Sequence, residues 1–182
     1  MKKKICVVTS SRSEYGILKN LILLIKRSKS FQLEIIVTGA HLSKSFGNTI
    51  DEIIDDRIIV KHKINIDLNK KKRDNSESII NQSSILVKGV YKKLTFIKPD
   101  LLLLLGDRFE IFVTAYASLL MNIPIAHIHG GEITTGSIDN VFRFAISKMS
   151  NLHFVATKKS KARLIKNDMN KKKVYIVGSP SI

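Results

Sequence analysis

Short apolar runs alternate with longer stretches of helical spacing along the whole chain. Seven of these runs predict β-strands, at residues 5–9, 33–38, 58–61, 101–105, 125–128, 152–156 and 174–177. Several runs are apolar at nearly every position, which is typical of strands that are buried on both faces of a parallel sheet.

The stretches between the strands predict five helices, at residues 14–27, 76–96, 109–121, 138–149 and 158–166. The second helix carries an expected apolar stripe of Ile79, Ile80, Val87, Val90, Tyr91 and Leu94. The third is almost entirely apolar and should be a central buried helix. Strand–helix alternation of this kind predicts the α/β class, with a Rossmann-like parallel sheet, right-handed crossovers and helices on both faces.

The length of 182 residues suits one domain, and neither a repeat nor a flexible linker divides the sequence. We therefore expect residues 1–182 to form a single Rossmann-like domain. The last predicted strand is followed by Gly178-Ser179-Pro180, a normal place for one domain to pass to another. This ending favours the amino-terminal half of a two-domain protein whose second domain is absent from the sequence.

Charge and cysteine content narrow the classes of function. The formal net charge of +16 comes mainly from lysines in short runs at residues 2–4, 70–73 and 171–173. These runs alternate with apolar segments and carry no stacking aromatics, so they favour solvated loops over a surface for nucleic acid or membranes. The single cysteine, Cys6, excludes an intrachain disulfide and a cysteine-rich metal site. No apolar stretch is long enough for a signal peptide or a membrane span, so we expect a cytoplasmic protein.

Ligands of open parallel sheets bind beyond the carboxyl ends of the strands, so the residues there are the candidates for chemistry. The first strand is followed by Ser10-Ser11-Arg12-Ser13-Glu14, which contains neither a dinucleotide fingerprint nor a P-loop. Hydroxyl groups and Arg12 at a helix start can hold a phosphate or carboxylate. Helix capping by a serine is the alternative, and both can hold together. His41, after the second strand, is either a site residue or a turn residue.

The fourth strand runs directly into Gly106-Asp107-Arg108-Phe109-Glu110. An acid and an arginine at this point face a desolvated crevice, which favours a functional site. The alternative is that Asp107 caps the next helix while Arg108 pairs with Glu110.

The fifth strand ends in His127-Ile128-His129-Gly130-Gly131-Glu132, and two histidines in this spacing lie on the same side of a strand. Acid–base chemistry and a zinc site are the rival interpretations. The former is favoured because His62 and His153 look peripheral, so no metal is expected.

The helix that follows carries Asp139 and Arg143, and a plain helix-terminal charge is the alternative for Asp139. The strongest argument for a site is collective. Five titratable residues follow two strands at one sheet edge: Asp107, His127, His129, Glu132 and Asp139.

With these motifs the chain resembles the UDP-N-acetylglucosamine 2-epimerases, in particular the hydrolysing branch of sialic- and legionaminic-acid synthesis. The matching segments are residues 9–16, 39–42, 98–110, 125–132, 136–139, 148–154 and 177–180. The resemblance implies half of a GT-B fold, with the sugar nucleotide bound between two domains and no cofactor.

The resemblance also implies a reaction. The C2 proton of the sugar is removed, UDP is expelled, and water adds to the intermediate to give free N-acetylmannosamine or a diacetamido analogue. By this resemblance the catalytic candidates are Asp107, Glu132 and Asp139, and the substrate-binding candidates are Arg12, His41, Arg108, His129 and Arg143.

The expected partners are a UDP-sugar and a carboxy-terminal domain in cis or in trans; the sequence leaves a homo-oligomer open. Phe144 departs from the histidine that family members often carry at this place, and some members carry glutamate in place of His129. A non-catalytic remnant or a sugar-nucleotide-binding module is therefore the alternative function.

Overall fold

The computed structural model describes residues 1–68, 75–134 and 136–180, and within them the strands form a seven-stranded parallel sheet. The strands are β1 (Lys3–Thr9), β2 (Phe31–Thr38), β3 (His62–Ile64), β4 (Leu101–Leu105), β5 (Ile125–Ile128), β6 (Leu152–Val155) and β7 (Val174–Ile176). They lie in the order β3-β2-β1-β4-β5-β6-β7. This is the Rossmann-like arrangement that strand–helix alternation predicts, and the fold class is confirmed.

Six α-helices connect the strands in the described parts of the chain. They are α1 (Arg12–Arg27), α2 (Ile50–Asp55), α3 (Ser76–Ile97), α4 (Phe109–Leu120), α5 (Asp139–Met149) and α6 (Lys158–Lys166). Five of them match the predicted helices to within two residues at each end. The short helix α2 was not predicted, because its six residues are too few to show a helical period.

Two apolar layers cover the sheet, one on each face. Leu102 and Leu104 pack with α3, α4 and α5, whereas Leu103 and Leu105 pack with α1 and residues of β5. Successive side chains of a strand point to opposite faces, so the run of five leucines in β4 supplies both layers. This two-sided burial is the reason why β4 could be predicted without error.

The prediction of the third strand at residues 58–61 is wrong, and β3 lies at His62–Ile64 instead. Arg57 adopts a left-handed conformation with φ of 57°, and the Ile58 amide donates to the Ile53 carbonyl at 3.3 Å. Ile58 is buried, but it closes the end of α2 rather than joining the sheet. Its apolar character therefore reflects helix packing.

The predicted apolar stripe of α3 is partly wrong. Ile80 and Tyr91 are exposed. The residues that α3 buries are Gln82, Leu86, Val90, Leu94 and Ile97, which recur at spacings of three and four. The helix therefore faces the sheet with a stripe rotated from the predicted one.

The order of the strands creates a topological switch point between β1 and β4. The chain proceeds outward from β1 through β2 to β3, and then crosses back through α3 to β4 on the other side of β1. Connections on the two sides of such a point diverge and leave a crevice at the carboxyl ends of the strands. The loops after β1, β4 and β5 all reach this edge.

Of the three lysine-rich runs, residues 70–73 lie outside the described residues. Lys2, Lys3 and residues 171–173 are exposed, as expected, although Lys3 begins β1 and residues 171–173 form a short 3-10 helix rather than loops. In the three described ranges, the structure contains no helix with the length and apolar character needed to cross a bilayer.

Two glycines offer a matched test of this packing. A Cβ atom at Gly89 of α3 would lie 2.5 Å from Ile64 Cγ2, whereas a Cβ at Gly16 of α1 would meet no atom within 4 Å. We expect Gly89→Ala to lower the free energy of unfolding by about 1–3 kcal/mol through overpacking. Gly16→Ala should raise it by about 0.5–1 kcal/mol, because alanine suits an exposed helix better. Urea denaturation measures both, and equal effects would contradict the close approach of α3 to β3.

Candidate functional site

The centre of the site is Arg143, whose guanidinium lies between the carboxylates of Asp107 and Glu132. Its Nη2 donates to Asp107 Oδ2, and its Nη1 lies 3.5 Å from Glu132 Oε2. Nη1 also donates to the His129 carbonyl at 2.9 Å, and the side chain is only 9 % exposed. One buried cation therefore joins two acids that lie 25 positions apart in sequence.

The ends of β4 and β5 bring the two acids together. Leu105 pairs with Ile128 in register, so the two strands end level with each other. The Gly106 amide then donates to the Ile128 carbonyl at 3.1 Å and fixes the start of the loop that carries Asp107. Arg143 approaches from α5, one turn after its first residue.

Both carboxylates remain accessible. The Asp107 side chain is 19 % exposed and that of Glu132 is 35 % exposed. Burial on one side and solvent contact on the other suit a group that must exchange protons with a bound molecule. His129 completes the group, with its Nδ1 3.9 Å from Glu132 Oε1. Among the described residues its buried Nε2 has no hydrogen-bond partner.

His127 does not lie at this edge with the other titratable residues, although the His-x-His spacing predicts that it should. It is fully buried in the sheet interior. The expectation that residues two apart lie on the same side of a strand does not apply here, because β5 ends at Ile128 and His129 adopts a left-handed conformation with φ of 62°. The two imidazoles therefore point in different directions.

His127 connects three elements of the site instead. Its Nε2 lies 2.7 Å from the Gly106 carbonyl, which can only accept, so Nε2 carries the proton. Its Nδ1 then accepts from the Ser147 hydroxyl of α5 at 2.9 Å. Burial lowers the pKa of His127 to about 3, and the ring is neutral. The carbonyl that precedes Asp107 is thus tied to the helix that carries Arg143.

A second cluster surrounds Arg108 at the switch point. Its Nε lies 3.3 Å from Glu110 Oε2 and 3.6 Å from Glu14 Oε1, and its Nη2 lies 3.3 Å from Glu110 Oε1. The pairing with Glu110 is the one that the capping alternative predicts. Asp107, however, does not cap α4, since Arg108 occupies the cap position and makes no side-chain capping bond.

Arg108 and Arg12 share one cleft of about 560 Å³, which is also lined by Ser11, Ser13 and Thr49. The Arg12 side chain is 73 % exposed and its Nε lies 2.7 Å from Glu52 Oε1. Two guanidinium groups and several hydroxyl groups thus face the same space, which suits an anionic ligand.

His41 lies beneath this cleft rather than on its surface. Its Nε2 is 3.0 Å from Thr9 Oγ1 and its Nδ1 is 2.8 Å from Thr49 Oγ1, and the side chain is fully buried. Burial lowers the pKa of His41 to about 4, so it adds no positive charge to the cleft.

Asp139 is separate from the two acids on Arg143. It begins α5 and lines a neighbouring cleft of about 300 Å³ together with Arg108, Phe109, Ile138 and Phe142. Its backbone amide donates to the Ser137 hydroxyl at 3.1 Å. The structure therefore divides the sequence candidates into an acid pair on Arg143 and a set of groups around Arg108.

Two buried carboxylates were not among the sequence candidates. Glu14 and Glu110 are 6 % and 0 % exposed, although each lies in the first turn of a helix, where an acid ordinarily faces solvent. A Cβ at Gly39 would lie 3.1 Å from Glu110 Oε1, so the loop after β2 closes over this carboxylate. Gly39, directly after β2, is the sequence feature that permits this closure.

The zinc interpretation requires His127 and His129 to share a metal with a carboxylate, but both ring nitrogens of His127 are engaged by the Gly106 carbonyl and the Ser147 hydroxyl. Within the described ranges, no three side chains of histidine, cysteine, aspartate or glutamate are arranged to hold a metal ion.

Comparison with known proteins identifies relatives of this chain. The family model described as UDP-N-acetylglucosamine 2-epimerase matches residues 24–182. The GDP/UDP-N,N'-diacetylbacillosamine 2-epimerase (hydrolyzing) of Campylobacter jejuni is 42% identical over 98% of this chain and 45% of its own length. The UDP-N,N'-diacetylbacillosamine 2-epimerase (hydrolyzing) of Legionella pneumophila is 37% identical over 100% of this chain and 47% of its own. The chain thus spans about half the length of these relatives.

A solved structure has the same fold. The UDP-GlcNAc 2-epimerase of Neisseria meningitidis, bound to UDP-GlcNAc, superposes with a TM-score of 0.85 at 21% identity. The alignment covers 98% of this chain and 47% of that one.

The neutral buried histidines predict how stability depends on pH. His127 and His41 protonate in the unfolded chain near pH 6.5 but resist protonation in the fold, so they favour folding above that pH and disfavour it below. Each should contribute a loss of about 1.4 kcal/mol per pH unit as the pH falls from about 6 to about 4.

Urea denaturation at a series of pH values tests this expectation. His127→Gln should remove one such contribution to the slope. Ser147→Ala should lower stability at every pH and leave the slope in place, because it deletes only the hydroxyl donor to a ring that stays buried. An unchanged slope in His127→Gln would show that His127 is protonated in the fold.

Proposed function

This chain belongs to the UDP-N-acetylglucosamine 2-epimerase family, and we propose that it is the amino-terminal half of a hydrolysing sugar-nucleotide 2-epimerase. The observation that carries the proposal is the convergence of Asp107 and Glu132 on Arg143 at the carboxyl ends of β4 and β5. The whole chain forms one of two domains, and the match to about half of each relative supports this division.

The substrate that we propose is a UDP-linked acetamido sugar. Two relatives are named for UDP-N,N'-diacetylbacillosamine, which makes this diacetamido sugar nucleotide the first to test and UDP-N-acetylglucosamine the second. The products are UDP and the free sugar with the opposite configuration at C2. We place the reaction in the cytoplasm and in the synthesis of sialic or legionaminic acid, on the basis of the motifs.

The reaction begins with an elimination. A carboxylate takes the C2 proton while the bond from C1 to the diphosphate oxygen breaks, and a double bond forms between C1 and C2. The C2 hydrogen is weakly acidic, so the base must act at short range in a site from which water is excluded. Asp107 and Glu132 are our candidates, since both are partly buried and held in place by Arg143.

The second step adds water across this double bond. Hydroxide is delivered to C1, and a proton returns to C2 from the face opposite to the one that lost it, which inverts C2. Two acids on different loops can serve the two faces of one sugar ring. Asp139, at the start of α5, is the third candidate for a proton transfer.

The departing diphosphate needs positive charge. Arg12 and Arg108 face a common cleft with the Ser11 and Ser13 hydroxyls, and we propose that this cleft holds the phosphates. His129 lies beside Glu132 and is a contact for the sugar. His41 supports the cleft from below through Thr9 and Thr49.

The proposed second domain, joined in cis or supplied in trans, closes over this edge and removes water from it. Arg143 holds the acids in this scheme and does not contact the substrate, because both acids and a carbonyl bind its two Nη atoms and its Nε is buried.

Activity measurements test the proposal. The chain is incubated with either UDP-sugar, alone and together with a carboxy-terminal half, and UDP release and free 2-epimeric sugar are measured. We expect Asp107→Asn and Glu132→Gln to lower kcat about 10²–10⁴-fold, as expected for loss of general acid–base catalysis. Asp100→Asn is the matched control, because Asp100 lies at the opposite end of β4 and pairs with Lys3 at the surface.

The absence of UDP release and of free sugar in every mixture would contradict the proposed activity. Binding of the UDP-sugar without turnover would favour the binding module that the sequence leaves as the alternative.

A further inference from the structure

Two buried carboxylates flank a single guanidinium at the switch point, and we propose that Glu14 and Glu110 are positioning residues that set the positive charge Arg108 presents to a bound phosphate. Glu14 is the member of the pair that takes up a proton when the phosphate binds. The inference rests on the proposed function only for the identity of the ligand, a sugar nucleotide.

Hydrogen bonds and ion pairs hold both carboxylates in place around Arg108. Glu110 is fully buried and meets Arg108 with both oxygens, at 3.3 Å from Nε and from Nη2. Glu14 approaches the same Nε at 3.6 Å. The Ser10 amide and hydroxyl hold Glu14 from behind, at 2.7 Å and 3.0 Å. Neither carboxylate can turn away without losing these bonds, so Arg108 is fixed at the crevice.

The charged groups around Arg108 do not balance when both carboxylates are ionised. Arg108 is the cation that faces both acids, and His41 beneath the cleft is neutral. Asp139, at the start of α5, adds a further negative charge near Arg108. Arg12, on the same helix as Glu14, is engaged with Glu52 at the surface. If both carboxylates were ionised, a buried cluster would carry an excess negative charge, which is costly. This excess charge favours the protonated form of one of the two carboxylates.

The contacts of the two carboxylates differ, and they indicate which one takes up the proton. Glu110 has both oxygens on the guanidinium, whereas Glu14 has the longer contact and a serine hydroxyl beside it. Burial, together with repulsion from Glu110, raises the pKa of Glu14 to about 7 despite the opposing effect of its bond to the Ser10 amide. Glu14 is therefore the group that gains and loses the proton near neutral pH.

The consequence concerns the two clefts that Arg108 lines. Its side chain is 27 % exposed, so part of the guanidinium is free to meet a phosphate. When Glu14 is ionised, the two carboxylates carry one negative charge more than Arg108 compensates. This excess charge repels a further anion. When Glu14 is protonated, the charges of Glu110 and Arg108 balance, and a phosphate can share Arg108 with Glu110. Phosphate binding and protonation of Glu14 therefore favour each other.

The first test needs no ligand. Carboxyl carbons of glutamate are followed by nuclear magnetic resonance as the pH is raised. The signal of Glu14 is assigned as the one that is absent from the spectrum of Glu14→Gln. We expect a carboxyl that titrates near pH 7. Titration of Glu14 near the ordinary glutamate value, about 4.3, would overturn the inference.

The second test measures the linkage in the protein with its carboxy-terminal half present. Binding of UDP-N-acetylglucosamine, whose diphosphate diester does not titrate near neutral pH, is measured by calorimetry from about pH 6 to about pH 8 in buffers of different ionisation enthalpy. If binding raises the pKa of Glu14 from about 7 to about 8, affinity should fall about fivefold over this range and protons should be taken up. Glu14→Gln should bind without proton uptake and with affinity independent of pH.

Glu34→Gln is the matched control, because Glu34 pairs with His62 at the other side of the sheet and should behave as the unchanged protein. Proton uptake that persists in Glu14→Gln would overturn the inference. Failure of the sugar nucleotide to bind at any pH would instead contradict the proposed function. Inorganic pyrophosphate then serves as the anion: proton uptake that depends on Glu14 supports the inference, and its absence overturns it.

Discussion

The ion pairs of Arg143 are the constraint on which the rest of the site depends. Asp107 and Glu132 belong to loops that follow different strands, and the Arg143 guanidinium joins them from a third element, α5. A buried arginine with two carboxylates is stable only as a set, because removal of one partner leaves uncompensated charge in the interior. The aligned ends of β4 and β5 and the bridge of His127 between the Gly106 carbonyl and Ser147 hold this set in one geometry.

The edge of the sheet separates two kinds of chemistry. Around Arg143, carboxylates are held in place but remain partly exposed, which suits proton transfer at carbon. Around Arg108, at the switch point between β1 and β4, carboxylates are buried and the guanidinium is partly exposed, which suits an anion. The separation follows from topology, because the loop after β4 places Asp107 toward β5 and α5, and Arg108 toward the loop after β1. In the proposed function, these neighbouring residues act on different parts of the substrate.

Much of the fold could be predicted because burial on both faces leaves a plain sequence pattern. The leucine run of β4 and the start and end of α6 are clear examples. The third strand could not be located, because the apolar side chain of Ile58 packs with α2 and does not belong to the sheet. At the site, sequence position was enough to name Asp107, Glu132 and Arg108, whose places at strand ends are local properties. The inward turn of His127, the partners of Arg143 and the burial of Glu14 and Glu110 depend on contacts between distant segments and on the left-handed backbone of His129.

The most direct measurement of the central claim is a double-mutant cycle between Arg143 and Asp107. The free energy of unfolding is measured for the unchanged chain, Arg143→Gln, Asp107→Asn and the double variant. If the Arg143 guanidinium binds the carboxylates as described, the double variant should lose less free energy of unfolding than the sum of the two single losses. We expect a difference of about 0.5–3 kcal/mol, as for residues in direct contact. Additive losses of the free energy of unfolding would show that Arg143 and Asp107 do not interact, and would contradict the proposed acid pair.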